Sequence, residues 1–269
     1  MTRELDSIPD KPLAKGRTAE VFDLGEGAVV KLLREGFDSS MIETEAAKTS
    51  AAHDAGVSTP SVHDIVHHDG RAGAVFDLVE GHLLLDEAVT QPLRLRRWGK
   101  TLGDIHAEML SHSSGDLPSL RDVLAERIDA TDLTGSQKAA AKDRLTTLPD
   151  ATNVLHGDFH PGNVILSNDG PVLIDWMNGS RGAPAADITR TLWLLSPATI
   201  PEDQPGRRFR TAVQSIFRSA YRARVARRAG VSPLEIDLWR LPVAAARLSE
   251  GIEHEDDALR SEVDRLTNT

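Results

Sequence analysis

Two patterns of apolar and polar positions divide the chain near residue 80. Before that point, short apolar runs such as residues 21–24 and 28–33 are separated by turn residues, which is typical of strands joined in hairpins. After it, apolar residues recur every three or four positions, as between Leu95 and Met109, and this spacing predicts helices. The sequence therefore predicts an α+β fold with a small N-terminal antiparallel β part and a larger, mainly helical C-terminal part.

One helix is predicted inside the β part. Ser40 and Glu43 have the spacing of a capping box, and Gly56 precedes Pro60, so we expect the helix to cover residues 41–55. Two further runs, 61–66 and 73–79, flank an Asp-Gly turn and predict a second hairpin. The expected order is hairpin, helix, hairpin.

A short island of strand interrupts the helical part, with apolar runs at 154–155, 164–166 and 172–174. A turn centred on residues 168–170 would pair residue 166 with residue 172. Asn163 would then lie opposite Asp175, and directly paired residues are about 4.5–5.5 Å apart. We therefore expect these two side chains to face one point.

The residues between the first two of these strands carry the candidate chemistry, His156-Gly157-Asp158-Phe159-His160-Pro161-Gly162-Asn163. The amide oxygen of Asn163 and the carboxylate of Asp175 are hard ligands that suit Mg²⁺, which is usually completed by phosphates and water. Asp158 is placed to orient, or take a proton from, a hydroxyl that attacks a phosphate. Asp and Asn are also common in turns, but a turn requires neither the preceding His-Gly nor the Asn five residues later.

This segment, together with Ile174-Asp175-Trp176, resembles the catalytic loop and second metal-binding segment of the aminoglycoside phosphotransferase and choline kinase-like superfamily, whose members are related to protein kinases. Residues 182–187 resemble the element that follows in that superfamily. The resemblance extends over essentially the whole chain and is weak after residue 200. It implies a bilobal protein-kinase-like fold, with a nucleotide-binding lobe at residues 1–80 and a catalytic and substrate-binding lobe at 81–269.

The same resemblance implies roles for individual residues. Asp158 would be the catalytic aspartate, and Asn163 and Asp175 would bind Mg²⁺. His156 and Asp187 would brace the catalytic loop.

A kinase-like small lobe also requires a strand lysine for the α- and β-phosphates and a helix glutamate that holds it. Lys31, which follows Val29-Val30 in an apolar run, has the position expected of this lysine. Glu43 and Glu45 are both candidates for the glutamate, and we choose Glu45 because Glu43 is the better capping-box residue. The alternative is an exposed Lys31 and a helical Glu45–Lys48 pair, which would contribute only about 0.2–0.5 kcal/mol.

Two further segments are candidates for nucleotide contacts. Residues 16–20, which include Thr18, are placed to cover the phosphates, although their single glycine departs from the protein-kinase loop. Residues 76–81 resemble the hinge between lobes, where the backbone of Asp77 and Val79 would meet the adenine edge.

An acidic cluster lies near the C-terminus, at Glu250, Glu253, Glu255, Asp256 and Asp257. In the aminoglycoside enzymes that the chain resembles, acidic groups of the C-terminal lobe bind substrate ammonium groups. A solvated helix surface is the alternative interpretation of each of these residues.

Composition and charge limit the partners and the cellular compartment that we expect for this protein. The 269 residues carry a formal charge of −10, which disfavours nucleic acid as the main partner. No apolar run approaches the roughly 18 residues of a membrane span, and the N-terminus lacks the apolar core of a secretory signal. The absence of cysteine fits a reducing compartment. We therefore expect a cytoplasmic protein without a membrane or nucleic-acid partner; the oligomeric state is left open.

These observations predict an ATP- and Mg²⁺-dependent kinase that phosphorylates a hydroxyl of a small molecule, such as a sugar, an aminocyclitol or an amino alcohol. A protein or peptide kinase is disfavoured because Asp175 and Asp187 leave little room for an activation segment. A catalytically silent nucleotide-binding regulator is the second alternative, and it would have no chemical need for Lys31, Asp158, Asn163 and Asp175 together.

Overall fold

The first part of the fold is a six-stranded sheet with one helix. In the computed structural model, which describes residues 3–201 and 203–268, its elements are β1 (Arg3–Glu4), β2 (Ala14–Lys15), β3 (Ala19–Gly25), β4 (Ala28–Leu33), α1 (Ser40–Asp54), β5 (Val62–His68) and β6 (Arg71–Asp77). The strand order is β1-β5-β6-β4-β3-β2, and only the β1–β5 pair is parallel. The predicted order of hairpin, helix and hairpin is confirmed.

Helix α1 begins differently from the prediction. Ser40 is the first helical residue and Ser39 the N-cap, whose side chain makes no capping hydrogen bond. The carboxylate of Asp38 instead accepts the Ser40 amide at 2.8 Å. The predicted capping box of Ser40 and Glu43 is therefore wrong, because a residue already inside the first turn cannot cap it.

The second part is mainly helical. Its helices are α2 (Leu84–Thr90), α3 (Leu95–Met109), α4 (Leu120–Asp129), α5 (Gly135–Thr147), α6 (Pro184–Leu194), α7 (Arg207–Ala229), α8 (Pro233–Leu238), α9 (Arg240–Arg247) and α10 (Glu253–Thr267). Its short strands are β7 (His82–Leu83), β8 (Asn153–Leu155), β9 (Val164–Ser167), β10 (Gly170–Leu173) and β11 (Ser180–Gly182). The predicted α+β architecture is confirmed. Within the described ranges, no helix has the length and apolar content needed to cross a membrane.

The β9–β10 hairpin has a register that differs by one residue from the prediction. Ser167 pairs with Gly170 across a two-residue turn, so Leu166 lies opposite Pro171 rather than Val172. Asn163 consequently meets Ile174, whose amide donates to the Asn163 carbonyl at 3.1 Å. The predicted pairing of residues 163 and 175 is wrong because the turn contains two residues and not three.

The two parts meet through close backbone contacts. A Cβ atom on Gly81 would collide with the carbonyl oxygen of Leu166 on β9, so only glycine permits this approach. The amide of Leu173 donates to the carbonyl of Ser58 at 2.9 Å, which joins the end of β10 to the segment after α1. Lys48 of α1 donates to the carbonyl of Met177 at 2.7 Å. Helix α1, the segment after it and the residues after β6 are thereby held against the β9–β10 hairpin and the turn that follows it.

Candidate active site

The loop between β8 and β9, residues 156–163, holds Asp158 and Asn163 together. The side-chain Nδ2 of Asn163 donates to the Asp158 backbone carbonyl at 2.9 Å and lies 3.4 Å from the Asp158 carboxylate. A short 3₁₀ turn, Pro161–Asn163, brings the asparagine back toward the aspartate. Asn163 is buried, whereas the Asp158 side chain is 28% exposed and so remains open to a ligand.

Gly157 fixes the direction of this loop. Its φ is +73°, a left-handed conformation that glycine adopts without steric cost. A Cβ atom here would also collide with the carbonyl oxygen of Asn178. The loop is therefore packed directly against the turn that follows Asp175.

Asp187 braces the loop from the first turn of α6. Its two carboxylate oxygens accept the backbone amides of His156 and Gly157 at 2.8 and 2.9 Å. Although burial alone would raise the pKa of Asp187, the hydrogen bonds from the His106 ring and the His156 backbone amide hold it below its ordinary value. Asp187 is therefore a buried carboxylate with its hydrogen-bonding capacity largely filled.

His156 ties the same loop to the residue before Asp175. Its Nδ1 accepts the Asp158 amide at 3.2 Å, and its Nε2 lies 3.0 Å from the Ile174 carbonyl, so the proton belongs on Nε2. The ring is buried and packs on Trp176 at 4.6 Å between centroids. Burial lowers the pKa of His156 below its ordinary 6.5, so the ring is neutral.

A second histidine, His106, supports this arrangement from α3. His106 of α3 is buried, and its Nε2 lies 3.2 Å from Asp187 while its Nδ1 lies 2.6 Å from the Tyr221 hydroxyl. The ring also stacks on Phe159 at 4.0 Å between centroids. The spacing of apolar residues around position 106 predicts a helix but could not indicate that His106 contacts Asp187 and Tyr221, which lie far along the chain.

Lys31 lies between two carboxylates. Its Nζ is 2.5 Å from Glu45 and 3.5 Å from Asp175. Burial alone would lower the pKa of Lys31, but the two carboxylates raise it above its ordinary value, so the group is an ammonium. Glu43 is exposed, and Lys48 contacts the Met177 carbonyl instead of Glu45.

Asp175 and Asn163 are the residues that would hold a divalent cation. Asp175 has a φ of +68°, and its side chain is 45% exposed. The Asn163 Nδ2 is used within the loop, so its amide oxygen is left without a donor among the described residues. No group of three or more metal-binding His, Asp or Glu side chains occurs in the described parts of the chain. Two oxygen ligands suit Mg²⁺ that is completed by phosphates and water.

Thr18 and Asp77 are two further residues that the sequence predicts to contact the nucleotide. Thr18 lies inside a tight turn in which the Gly16 amide donates to the Ala19 carbonyl at 2.8 Å, and the Thr18 carbonyl accepts the Arg34 amide. The Asp77 side chain contacts the Ser61 amide and His63, and its backbone amide donates to Ser61.

Val79, at the predicted hinge, lies beyond the end of β6. Its amide has no hydrogen-bond partner within residues 3–201 and 203–268. Asp77 and Val79 both line a cavity of 420 Å³. The backbone of Val79 is thus available to a ligand.

The C-terminal acidic cluster is largely paired within the protein. Glu250 contacts Arg190 at 2.7 Å and Arg247 at 3.0 Å. Glu255 is buried and receives two hydrogen bonds from Arg247. Arg190 also donates to the Gly157 carbonyl, so this ion-pair network reaches the catalytic loop.

Comparison with known proteins assigns the family. Residues 10–229 match the model of the phosphotransferase enzyme family, so the chain belongs to that family. No curated protein matches the sequence significantly.

Solved structures share the fold at low sequence identity. A thermostable mutant of the aminoglycoside phosphotransferase APH(4)-Ia, in ternary complex with AMP-PNP and hygromycin B, gives a TM-score of 0.60 at 18% identity, with 97% of this chain and 94% of the other covered. The amicoumacin kinase hAmiN, in complex with AMP-PNP, Ca²⁺ and Ami, gives 0.54 at 15%, covering 96% and 87%. A putative fructosamine-3-kinase from Haemophilus somnus 129PT gives 0.58 at 10%, covering 95% and 90%.

Proposed function

We propose that this member of the phosphotransferase family transfers the γ-phosphoryl group of ATP, with Mg²⁺, to a hydroxyl of a small molecule. The proposal rests mainly on one observation: the group formed by Lys31 and Glu45 adjoins the loop of Asp158 and Asn163 through Asp175. Lys31 contacts both Glu45 and Asp175, and Asp175 follows the residue that is hydrogen-bonded to Asn163 beside Asp158. Solved relatives of the same fold bind AMP-PNP together with an acceptor.

Each residue of the proposed site has one task. The Lys31 ammonium, held by Glu45, binds oxygens of the α- and β-phosphates. Asn163 and Asp175 would hold Mg²⁺, which when bound neutralises charge that develops on the phosphate oxygens. The backbone near Thr18 covers the phosphates, and the backbone of Asp77 and Val79 meets the adenine.

Asp158 acts on the acceptor. Its carboxylate accepts a hydrogen bond from the acceptor hydroxyl and takes the proton as the oxygen bonds to the γ-phosphorus. The bond from the γ-phosphorus to the bridging oxygen breaks, and ADP leaves with that oxygen. Because His156, Asp187 and Asn163 hold the loop, Asp158 does not need to reorganise during transfer.

The principal test is Asp158→Asn, which keeps the volume of the side chain and removes the base. We expect phosphoryl transfer to fall by about 10²–10⁴-fold, the usual contribution of a positioned base. Transfer is measured by mass-spectrometric detection of phosphorylated products from a mixed library of hydroxyl compounds.

ATP binding by the same variant, measured by calorimetry, is expected to match the unaltered protein. Asp116→Asn, a change in the loop before α4, is the control for substitution of an aspartate elsewhere. Full transfer by Asp158→Asn would refute the assignment of the base.

The second test is Lys31→Met, which retains the length of the side chain and removes the ammonium. We expect kcat/KM for ATP to fall by about 10–100-fold, because a charge-assisted contact to phosphate contributes roughly 1.5–3 kcal/mol. Unchanged kinetics with ATP would remove Lys31 from the site. Lys100→Met, at an exposed position of α3, is the matched control.

The alternative of a protein kinase receives no support from the segment between Asp175 and Asp187. It contains a turn, the three-residue strand β11 and the start of α6. These elements account for the residues between Asp175 and Asp187 and leave no long extended segment that could bind a polypeptide substrate.

A further inference from the structure

Two cations lie against the turn that follows Asp175. Arg127 of α4 donates from its Nη2 to the Asn178 side chain at 2.7 Å, and Lys48 of α1 donates to the Met177 carbonyl at 2.7 Å. The Asn178 carbonyl packs on Gly157, the residue before Asp158. Arg127 and Lys48, the cationic pair, therefore contact the turn that packs against the residue before the proposed base.

The cationic pair lacks matching negative charge. Lys48 contacts no carboxylate among the residues that the structure describes. Among the described residues, Glu250 is the one carboxylate within 4 Å of Arg127, at 3.5 Å, although the charge of Glu126 also raises the pKa of Arg127. Glu250 is shared with Arg190 and Arg247, which approach it more closely. Glu250 thus contacts three guanidinium groups, and Arg247 is the one of the three that is also paired with a second carboxylate, Glu255.

Burial and mutual repulsion act on both members of the pair. Burial lowers the pKa of Lys48, and the charge of Arg127 lowers it further. Burial also lowers the pKa of Arg127, and repulsion from Arg190 adds to the effect. Both side chains nevertheless keep access to solvent, since Lys48 is half-buried and the Arg127 side chain is 29% exposed. A partly enclosed site with surplus positive charge is suited to an anion.

The acidic groups that could attract a polycation are already occupied. Glu250 and Glu255 are bound by arginines, and Asp256 is bound by Arg260 at 2.6 Å. Of the C-terminal cluster, Glu253 and Asp257 remain, on the exposed side of α10. An acceptor with several ammonium groups would therefore meet cations next to Asp158 and few free carboxylates.

We infer that the acceptor carries an anionic group, a carboxylate or a phosphate, near its reacting hydroxyl, and that Lys48 and Arg127 bind this group. The inference rests on the proposed function. It assigns a substrate class to the same site, anionic hydroxyl compounds, and it disfavours polycationic aminoglycosides.

The first experiment compares acceptors by charge. The full chain is incubated with ATP and Mg²⁺ against four sets of compounds, namely hydroxy acids, sugar phosphates, neutral sugars and aminoglycosides, and Asp158-dependent phosphorylated products are detected by mass spectrometry. Products from hydroxy acids or sugar phosphates support the inference, and these two sets identify which anion is bound. Products solely from neutral sugars or aminoglycosides would overturn it while leaving the kinase proposal intact. No product in any set would contradict the proposed function, and the inference with it.

The second experiment uses variants of the cationic pair with the best acceptor found. Arg127→Gln and Lys48→Gln are each expected to raise the acceptor KM by at least about 10-fold, as expected for loss of a charge-assisted hydrogen bond, with the KM for ATP nearly unchanged. Arg127→Lys and Lys48→Arg retain the charge and should recover most of the affinity even where the glutamine variants fold poorly. Lys100→Gln on α3 is the control.

A rise in the KM for ATP with an unchanged acceptor KM would overturn the inference, because it would assign the cationic pair to the γ-phosphate. Unchanged constants for both substrates would overturn it as well.

Discussion

The catalytic loop, residues 156–163, and the phosphate-covering loop, residues 16–20, are held in opposite ways. The catalytic loop is fixed by buried side chains: Asp187, from outside the loop, accepts two of its amides, and His156, within the loop, is hydrogen-bonded to the Ile174 carbonyl. The phosphate-covering loop is held by backbone contacts, such as that of Gly16 with Ala19, and by arginine contacts at Gly16 and Glu20, and its first two residues are exposed. In the proposed function, this difference means that the base, Asp158, is preorganised by buried contacts, whereas the segment over the phosphates is held at the surface of the sheet.

The largest effect expected from this comparison is on stability, in Asp187→Ala. The substitution leaves the buried amides of His156 and Gly157 and the ring of His106 without their acceptor. We expect the free energy of unfolding to fall by about 3–5 kcal/mol, as measured by urea denaturation.

Asp122→Ala is the matched control, because Asp122 is also acidic in the first turn of a helix but is exposed. It should change stability by less than about 1 kcal/mol. Equal losses in the two variants would show that Asp187 does not hold the loop.

The next effect is a dependence of stability on pH that arises from His156. Its folded pKa is lowered by burial, so the unfolded chain binds a proton below pH 6.5 that the folded protein resists. Stability is therefore complete above pH 6.5 and is lost as the pH falls below it, by up to about 1.4 kcal/mol per pH unit from this residue.

The measurement is the free energy of unfolding between pH 7.5 and pH 5.5 in the unaltered protein and in His156→Gln. The variant should show a shallower slope, whatever its absolute stability. Parallel slopes would mean that His156 is protonated equally in both states.

The smallest effect is expected in the phosphate-covering loop. Thr18→Ala removes a side chain from a segment held by its backbone, so kcat/KM for ATP should change by less than about 3-fold and stability by no more than about 0.5 kcal/mol. Steady-state kinetics with varied ATP checks the first value. A loss as large as that expected for Lys31→Met would show that this loop is as tightly organised around the nucleotide as the catalytic loop is around Asp158.

Sequence patterns predicted the parts of this molecule that depend on neighbouring residues. The strands around residues 21–33 and the helix that ends near Asp54 follow from local periodicity and turn residues. Two local details were wrong, the cap of α1 and the register of the β9–β10 hairpin, because single-residue choices among turn geometries differ little in energy.

The contacts around the catalytic loop depend on residues that are distant in sequence. His106 reaches Asp187 across 81 residues and Tyr221 across 115. Arg127 meets Asn178 across 51 residues. Such partners are selected by the packing of α3, α4, α6 and α7, and the spacing within one helix contains no record of them. The sequence was therefore sufficient to predict Asp158 as a site residue, whereas the contacts that hold its loop could be identified only from the folded structure.

The backbone conformation of Asp175 determines what a substitution at this position would do. Its φ of +68° is a conformation that glycine adopts without cost, and that a side chain makes less favourable. Exchange of Asp175 for glycine would therefore relieve the backbone, and in the proposed site it would at the same time remove a magnesium ligand.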